Sequence, residues 1–182
     1  MNRAIGMVEF SSIARGIYSA DQMVKRSDVE IVTACSTCPG KYIAVVHGDV
    51  TAVRESVETG VETAGEFIVE HIMIPNVHKD VFPAIVGATS PEKIDALGIL
   101  ESYSMSGMVI AADLALKSAE LEAIEIRLGT GLGGKAFFTF TGDVAAVKNG
   151  IEVGMDSLGE KGMLLNAEVI PQPSERIISS LY

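Results

Sequence analysis

The chain has 182 residues, 48% of them apolar, and a formal net charge of −10. That length suits one medium domain or two small ones, and an acidic chain without clustered Lys and Arg argues against a nucleic-acid partner, whose phosphates demand a basic surface. Apolar runs such as Gly107–Leu116 are too short for a bilayer span and contain Asp113, and two cysteines point to free thiols or ligands rather than a disulfide framework.

In chain order, Met1-Asn2-Arg3 opens without the pattern of a secretory leader, so a soluble, cytoplasmic protein is expected. Residues 4–10 read as a short apolar strand. Ser11 or Ser12 can cap a helix to about Lys25, in which Ile13, Ile17, Ala20 and Val24 fall on one face. A strand follows at Val29–Thr33, then a loop containing Cys38-Pro39-Gly40, then a strand at Tyr42–His47. Asp49 starts a second helix whose Val50, Val53, Val57 and Val61 keep the helical period, and a last strand lies near Phe67–Ile74. Helices so rich in Val have weak intrinsic propensity, so packing against a sheet must hold them.

The pattern then repeats. Ala4-Ile5-Gly6-Met7-Val8-Glu9 matches Ala96-Leu97-Gly98-Ile99-Leu100-Glu101, and the same register aligns Ala20-Asp21 with Ala112-Asp113 and Lys25 with Lys117. After a two-residue insertion, Gly40-Lys41 aligns with Gly134-Lys135 and Gly48-Asp49-Val50 with Gly142-Asp143-Val144. The second copy places its second helix at Asp143, with Val144, Val147 and Ile151, and its last strand at Ala167–Ile170. Strand, helix, two strands, helix, strand is the order of a ferredoxin-like α+β unit. Two tandem domains are expected, over residues 1–90 and 91–182.

The recurring A-x-G-x-x-E strand, the Lys late in the first helix, the G-K after the loop and the G-D-V-x-x-V resemble the bacterial microcompartment shell domain. The resemblance covers the whole chain twice. With Cys-Pro-Gly-Lys in the first loop, it is similar to the tandem-domain iron–sulfur shell proteins of propanediol-utilising compartments. This implies a homotrimer of pseudo-hexameric form, six domains around a central pore, packed beside other shell proteins in the bacterial cytoplasm. It further implies that Cys38 of three subunits binds one 4Fe-4S cluster, passing electrons across the shell or serving an encapsulated redox enzyme. The implied pore-lining residues are Ser36, Thr37, Pro39 and Gly40 from the first copy and Thr130, Gly131, Leu132 and Gly133 from the second. The implied tile-edge contacts are Lys25, Lys117 and His78. The family's I-P-R-P-H edge motif is altered: Ile74-Pro75-Asn76-Val77-His78 and Ile170-Pro171-Gln172-Pro173-Ser174 both lack the Arg.

The residues themselves leave alternatives open. One thiolate per chain cannot hold a cluster that needs about four ligands, so Cys38 either combines with its copies on a threefold axis or remains a free loop thiol. Cys35-Ser36-Thr37-Cys38 is a C-x-x-C, but a zinc site would need two more ligands, and His47, His71 and His78 are scattered. Cys35 reads as a core thiol at a strand end. Gly129-Thr130-Gly131-Leu132-Gly133-Gly134-Lys135 meets neither phosphate-loop template and aligns with the Cys38 loop. No hydrolase or metalloprotease motif occurs, so no enzymatic activity is expected. The rival readings are a metabolite-conducting pore without a cluster and a ferredoxin-like, nucleotide-binding regulatory oligomer.

Overall fold

The computed structural model describes residues 4–179. The first repeat contains β1 (Ala4–Phe10), α1 (Ile13–Arg26), β2 (Val29–Thr37), β3 (Lys41–Gly48), α2 (Val50–Ala64) and β4 (Ile68–Ile74). A short helix, α3 (Val81–Ile85), leads to the second repeat: β5 (Ala96–Ser102), α4 (Met105–Ser118), β6 (Glu122–Leu128), β7 (Ala136–Gly142), α5 (Val144–Gly159) and β8 (Leu164–Ile170). A final turn of helix, α6, spans Glu175–Ile178.

Each repeat forms one four-stranded antiparallel sheet, in the orders β2-β3-β1-β4 and β6-β7-β5-β8. Both β-α-β connections of a repeat skip one strand, which is the ferredoxin-like arrangement the sequence order predicts. In the first repeat α1 and α2 cover one sheet face around Val8, Phe10, Met23, Ala44, Val46, Val53 and Val57. Gly6 lets α2 approach β1, since a Cβ there would meet the side chains of Val57 and Val53. That close fit holds a helix whose valines would not sustain it alone. In the second repeat Gly98 makes room for the ring of Phe140, which stacks on Phe138 at a centroid distance of 4.8 Å.

Two expectations change. The buried face of α1 is Gly16, Ser19, Ala20 and Met23, whereas Ile13 and Ile17 are 40% and 54% exposed. Tyr42 packs where a Cβ on Gly16 would stand, within 2.6 Å of the tyrosine Cβ. The helix therefore turns its small residues to the sheet and its isoleucines outward. Next, β2 runs four residues beyond its expected end, so Cys35, Ser36 and Thr37 are strand residues rather than loop. Grouped by contacts, the chain forms two compact units. One compact unit takes in residues up to Val77 with Gly129–Gly134, and the other His78–Leu128 with Lys135 onward. The connecting segment joins the second unit because α3 packs on β6 and α4, and Thr89 donates a hydrogen bond to the Ile124 carbonyl.

The paired helix caps are unequal. Ser12 and Ser104 both accept a backbone N–H at the starts of α1 and α4. At the second helices, Asp143 accepts from Ala146 N–H at 2.7 Å, while Asp49 makes no side-chain cap bond.

Candidate pore-loop site

β2 and β3 are antiparallel neighbours joined by only Cys38, Pro39 and Gly40. The turn is closed by Gly40 N–H donating to Thr37 O at 3.0 Å, with Gly40 at φ 81°, a conformation that a side chain would strain. The Cys38–Pro39 peptide is cis. Cys38 is a half-buried free thiol.

The loop has a second support within the same compact unit. Cys38 N–H donates to Gly129 O at 3.3 Å, and Leu132 N–H donates to the same carbonyl at 3.4 Å. A Cβ on Gly134 would lie 3.1 Å from Cys38 O. Gly129, Gly131, Gly133 and Gly134 all have positive φ, so the glycine loop follows a path that other residues would resist. The Cys38 backbone is thus held on its N–H side, and the bare Cα of Gly134 lies beside its carbonyl.

The expected pore residues separate on this geometry. Ser36, Pro39 and Gly40 are exposed, as are Thr130, Gly131 and Gly133, while Leu132 is half-buried. Thr37 is a correction: strand alternation turns it inward, 6% exposed, so it lines no surface of the chain. Cys35 is a second correction, since it is half-buried on edge strand β2 rather than in the core, with Thr33 Oγ1 3.7 Å from its Sγ. Burial and the neighbouring Cys35 raise the Tyr42 phenol above its ordinary pKa.

Among the described residues, no three His, Cys, Asp or Glu side chains are grouped to hold a metal ion. Cys38 is thus not one of three such side chains gathered within the described residues. His47 lies 3.4 Å from Glu30, His71 is on β4, and the His78 ring lies near Asp80, so the histidines do not meet Cys38 as ligands of a common site.

Each of the two expected contact lysines pairs with the carboxylate one turn earlier, Lys25 with Asp21 at 2.6 Å and Lys117 with Asp113 at 2.7 Å. Asp113 also accepts the His78 backbone N–H at 2.7 Å and is buried, whereas Asp21 is exposed. Sequence reasoning missed two further pairs. Lys41 binds Glu9 at 2.6 Å and Lys135 binds Glu101 at 2.7 Å. The signal was present, since the Glu of A-x-G-x-x-E and the Lys of G-K recur together in both copies.

The chain matches the BMC domain over residues 4–77 and again over 96–173. It belongs to the BMC-domain family. A bacterial microcompartment shell protein, PduT of Citrobacter freundii, is 39% identical over 175 residues, covering 96% of this chain and 95% of that protein. The carboxysome assembly protein CcmO of a Synechocystis strain is 32% identical, over 98% of this chain and 64% of its own. The crystal structure of a microcompartment protein from Desulfitobacterium hafniense superposes with a TM-score of 0.95 at 43% identity, covering 98% and 99% of the two chains. A fused, permuted hexameric shell protein, MSM0275 of the RMM microcompartment, shares the fold at a TM-score of 0.63 and 16% identity, over 87% of this chain and 82% of that one. This BMC chain is a structural shell protein of a bacterial microcompartment, and no helix among its described residues is long and apolar enough to cross a membrane.

Proposed function

We propose that three copies of the chain form a pseudo-hexameric shell tile in the bacterial cytoplasm, with a central pore where the Cys38 thiols of the three copies hold one 4Fe-4S cluster. The observation that carries this reading is a single half-buried thiol in a three-residue loop whose backbone is held by the glycine loop of the second repeat. Three thiols from three chains leave one iron to a non-cysteine ligand, a more accessible arrangement than four cysteines. The bound cluster would supply one-electron transfer between the two sides of the shell, or to an enclosed redox enzyme. Ser36, Pro39, Gly40 and the tip of the glycine loop would surround the pore. Lys25, Lys117 and His78 would face neighbouring tiles.

The test is protein purified without oxygen from iron-replete cells. Expected are visible absorbance, a paramagnetic signal on reduction, and about four irons per three chains, all lost in Cys38→Ser while the trimer persists. A colourless, iron-free trimer overturns the cluster and leaves a tile whose pore passes metabolites.

A further inference from the structure

The two repeats have the same fold but opposite surfaces at one place. On α4, Met105, Val109 and Asp113 follow one another at four-residue steps and are buried, the first two at 1% and 0% exposure. Their counterparts on α1 are Ile13, Ile17 and Asp21, and all three are exposed. The adjoining strand behaves alike: Ala123 on β6 is 4% exposed, and its counterpart Ile31 on β2 is 51% exposed. In the second repeat the segment after β4 lies on this surface. There α3 packs against β6 and α4, Val81 is fully buried, and His78 N–H donates to Asp113 Oδ1.

The chain contains that covering segment twice. Ile170-Pro171 after β8 corresponds to Ile74-Pro75 after β4, which aligns Ser174 with His78 and Ile177 with Val81. The local turn is the same, since Val81 N–H donates to His78 O at 3.1 Å and Ile177 N–H to Ser174 O at 2.8 Å. Yet Ile177 is 51% exposed where Val81 is fully buried. The acceptor is also in place. Lys25 and Gln22 both donate to Asp21 Oδ2, whereas on Asp113 Lys117 takes Oδ2 and the backbone N–H takes Oδ1. The apolar strip on α1 and β2 is therefore exposed, and so is the Ile177 side chain of the segment that matches it.

We infer that the segment from Pro171 through α6 of one copy covers the α1–β2 face of a second copy, with Ser174 N–H donating to Asp21 and Ile177 packing beside Ile17 and Ile31. The inference rests on the multi-copy tile proposed above and names the contact that closes it. Three such contacts close a ring of three chains, each contact copying one already made inside the chain.

Disulfide trapping in the full-length chain tests it, with Cys35→Ser and Cys38→Ser as background. Asp21→Cys with Ser174→Cys should give, on mild oxidation, a reducible covalent three-chain species that neither single change gives. The internal pair His78→Cys with Asp113→Cys is the geometric control and should close within one chain under the same conditions. As an independent readout, Ile17→Asp and Ile177→Asp should each weaken assembly in sedimentation about tenfold or more. Trimers that sediment normally, close the control pair and never crosslink between chains overturn the inference alone. A disulfide that joins the two introduced thiols at positions 21 and 174 within one chain also overturns it. If the natural chain sediments as a monomer, both this contact and the proposed tile fall.

Discussion

Replacing Lys41 by Met measures how far burial sets the cost of breaking an ion pair, because the second repeat holds the same pair in a wetter setting. The Glu9 side chain is 4% exposed and its partner Lys41 30% exposed. The Glu101 side chain is 35% exposed and Lys135 38%. Methionine keeps an apolar stem and removes the charge. Deleting one partner of a buried pair costs about 3–5 kcal/mol, because the other charge is left without compensation. Water reaches Lys41 from one side, so the expected loss for Lys41→Met is about 2–4 kcal/mol. For Lys135→Met the exposed-pair value of about 0–1 kcal/mol applies. Urea unfolding of the full-length chain, at one protein concentration because assembly shifts apparent stability, should show it. With a slope of about 1–3 kcal/mol per molar, Lys41→Met should lower the midpoint by about 1 M or more, and Lys135→Met by much less. Adding Glu9→Gln to Lys41→Met should recover part of the loss, since a neutral amide is cheaper to bury than a lone carboxylate. Equal losses from the two lysine changes would refute the argument from burial.

The unequal caps predict that Asp143→Ala costs about 1 kcal/mol of stability and Asp49→Ala distinctly less, as read by thermal unfolding. Gly6→Ala should destabilise by about 1–3 kcal/mol because the branched side chains of Val53 and Val57 cannot withdraw, whereas Gly60→Ala meets chiefly the flexible Met23 side chain and should cost less. For Tyr42 the folded pKa is raised by burial first and by Cys35 second. Its contribution is therefore fully present below the unfolded phenol value of about 10 and is lost as pH rises through the folded value. Tyr42→Phe should flatten the alkaline loss of stability followed by circular dichroism, and an unchanged slope would exclude Tyr42 as its source.

The duplication made the fold legible. Matching runs such as Ala4–Glu9 and Ala96–Glu101 gave two units, and valines at helical spacing gave α2. What misled was reading only large apolar residues as inward-facing. On α1 the close approach of Tyr42 selects Gly16, Ser19 and Ala20 for the sheet side, which a hydrophobic count passes over. The end of β2 was hidden for a related reason. Ala34, Cys35, Ser36 and Thr37 lack the apolar alternation of an interior strand, and only their pairing with Tyr42 to Ala44 and Lys41 on β3 extends it. The Cys38 turn could be found from Cys-Pro-Gly-Lys alone. Its support by Gly129 and Gly134 could not, because contact across some ninety residues leaves no local pattern.

The divergence of the two loops has an evolutionary consequence. A ring built from six identical polypeptides must accept any change in its loop sixfold, so a reactive side chain and a pliable backbone compete for the same position. Fusing two copies into one polypeptide removes that competition. Here one loop presents Cys38 on a short turn, while the other places Leu132 among glycines and lends its backbone to the first. In the proposed tile, halving the symmetry would let a ligating thiol and its supporting backbone be inherited as separate traits.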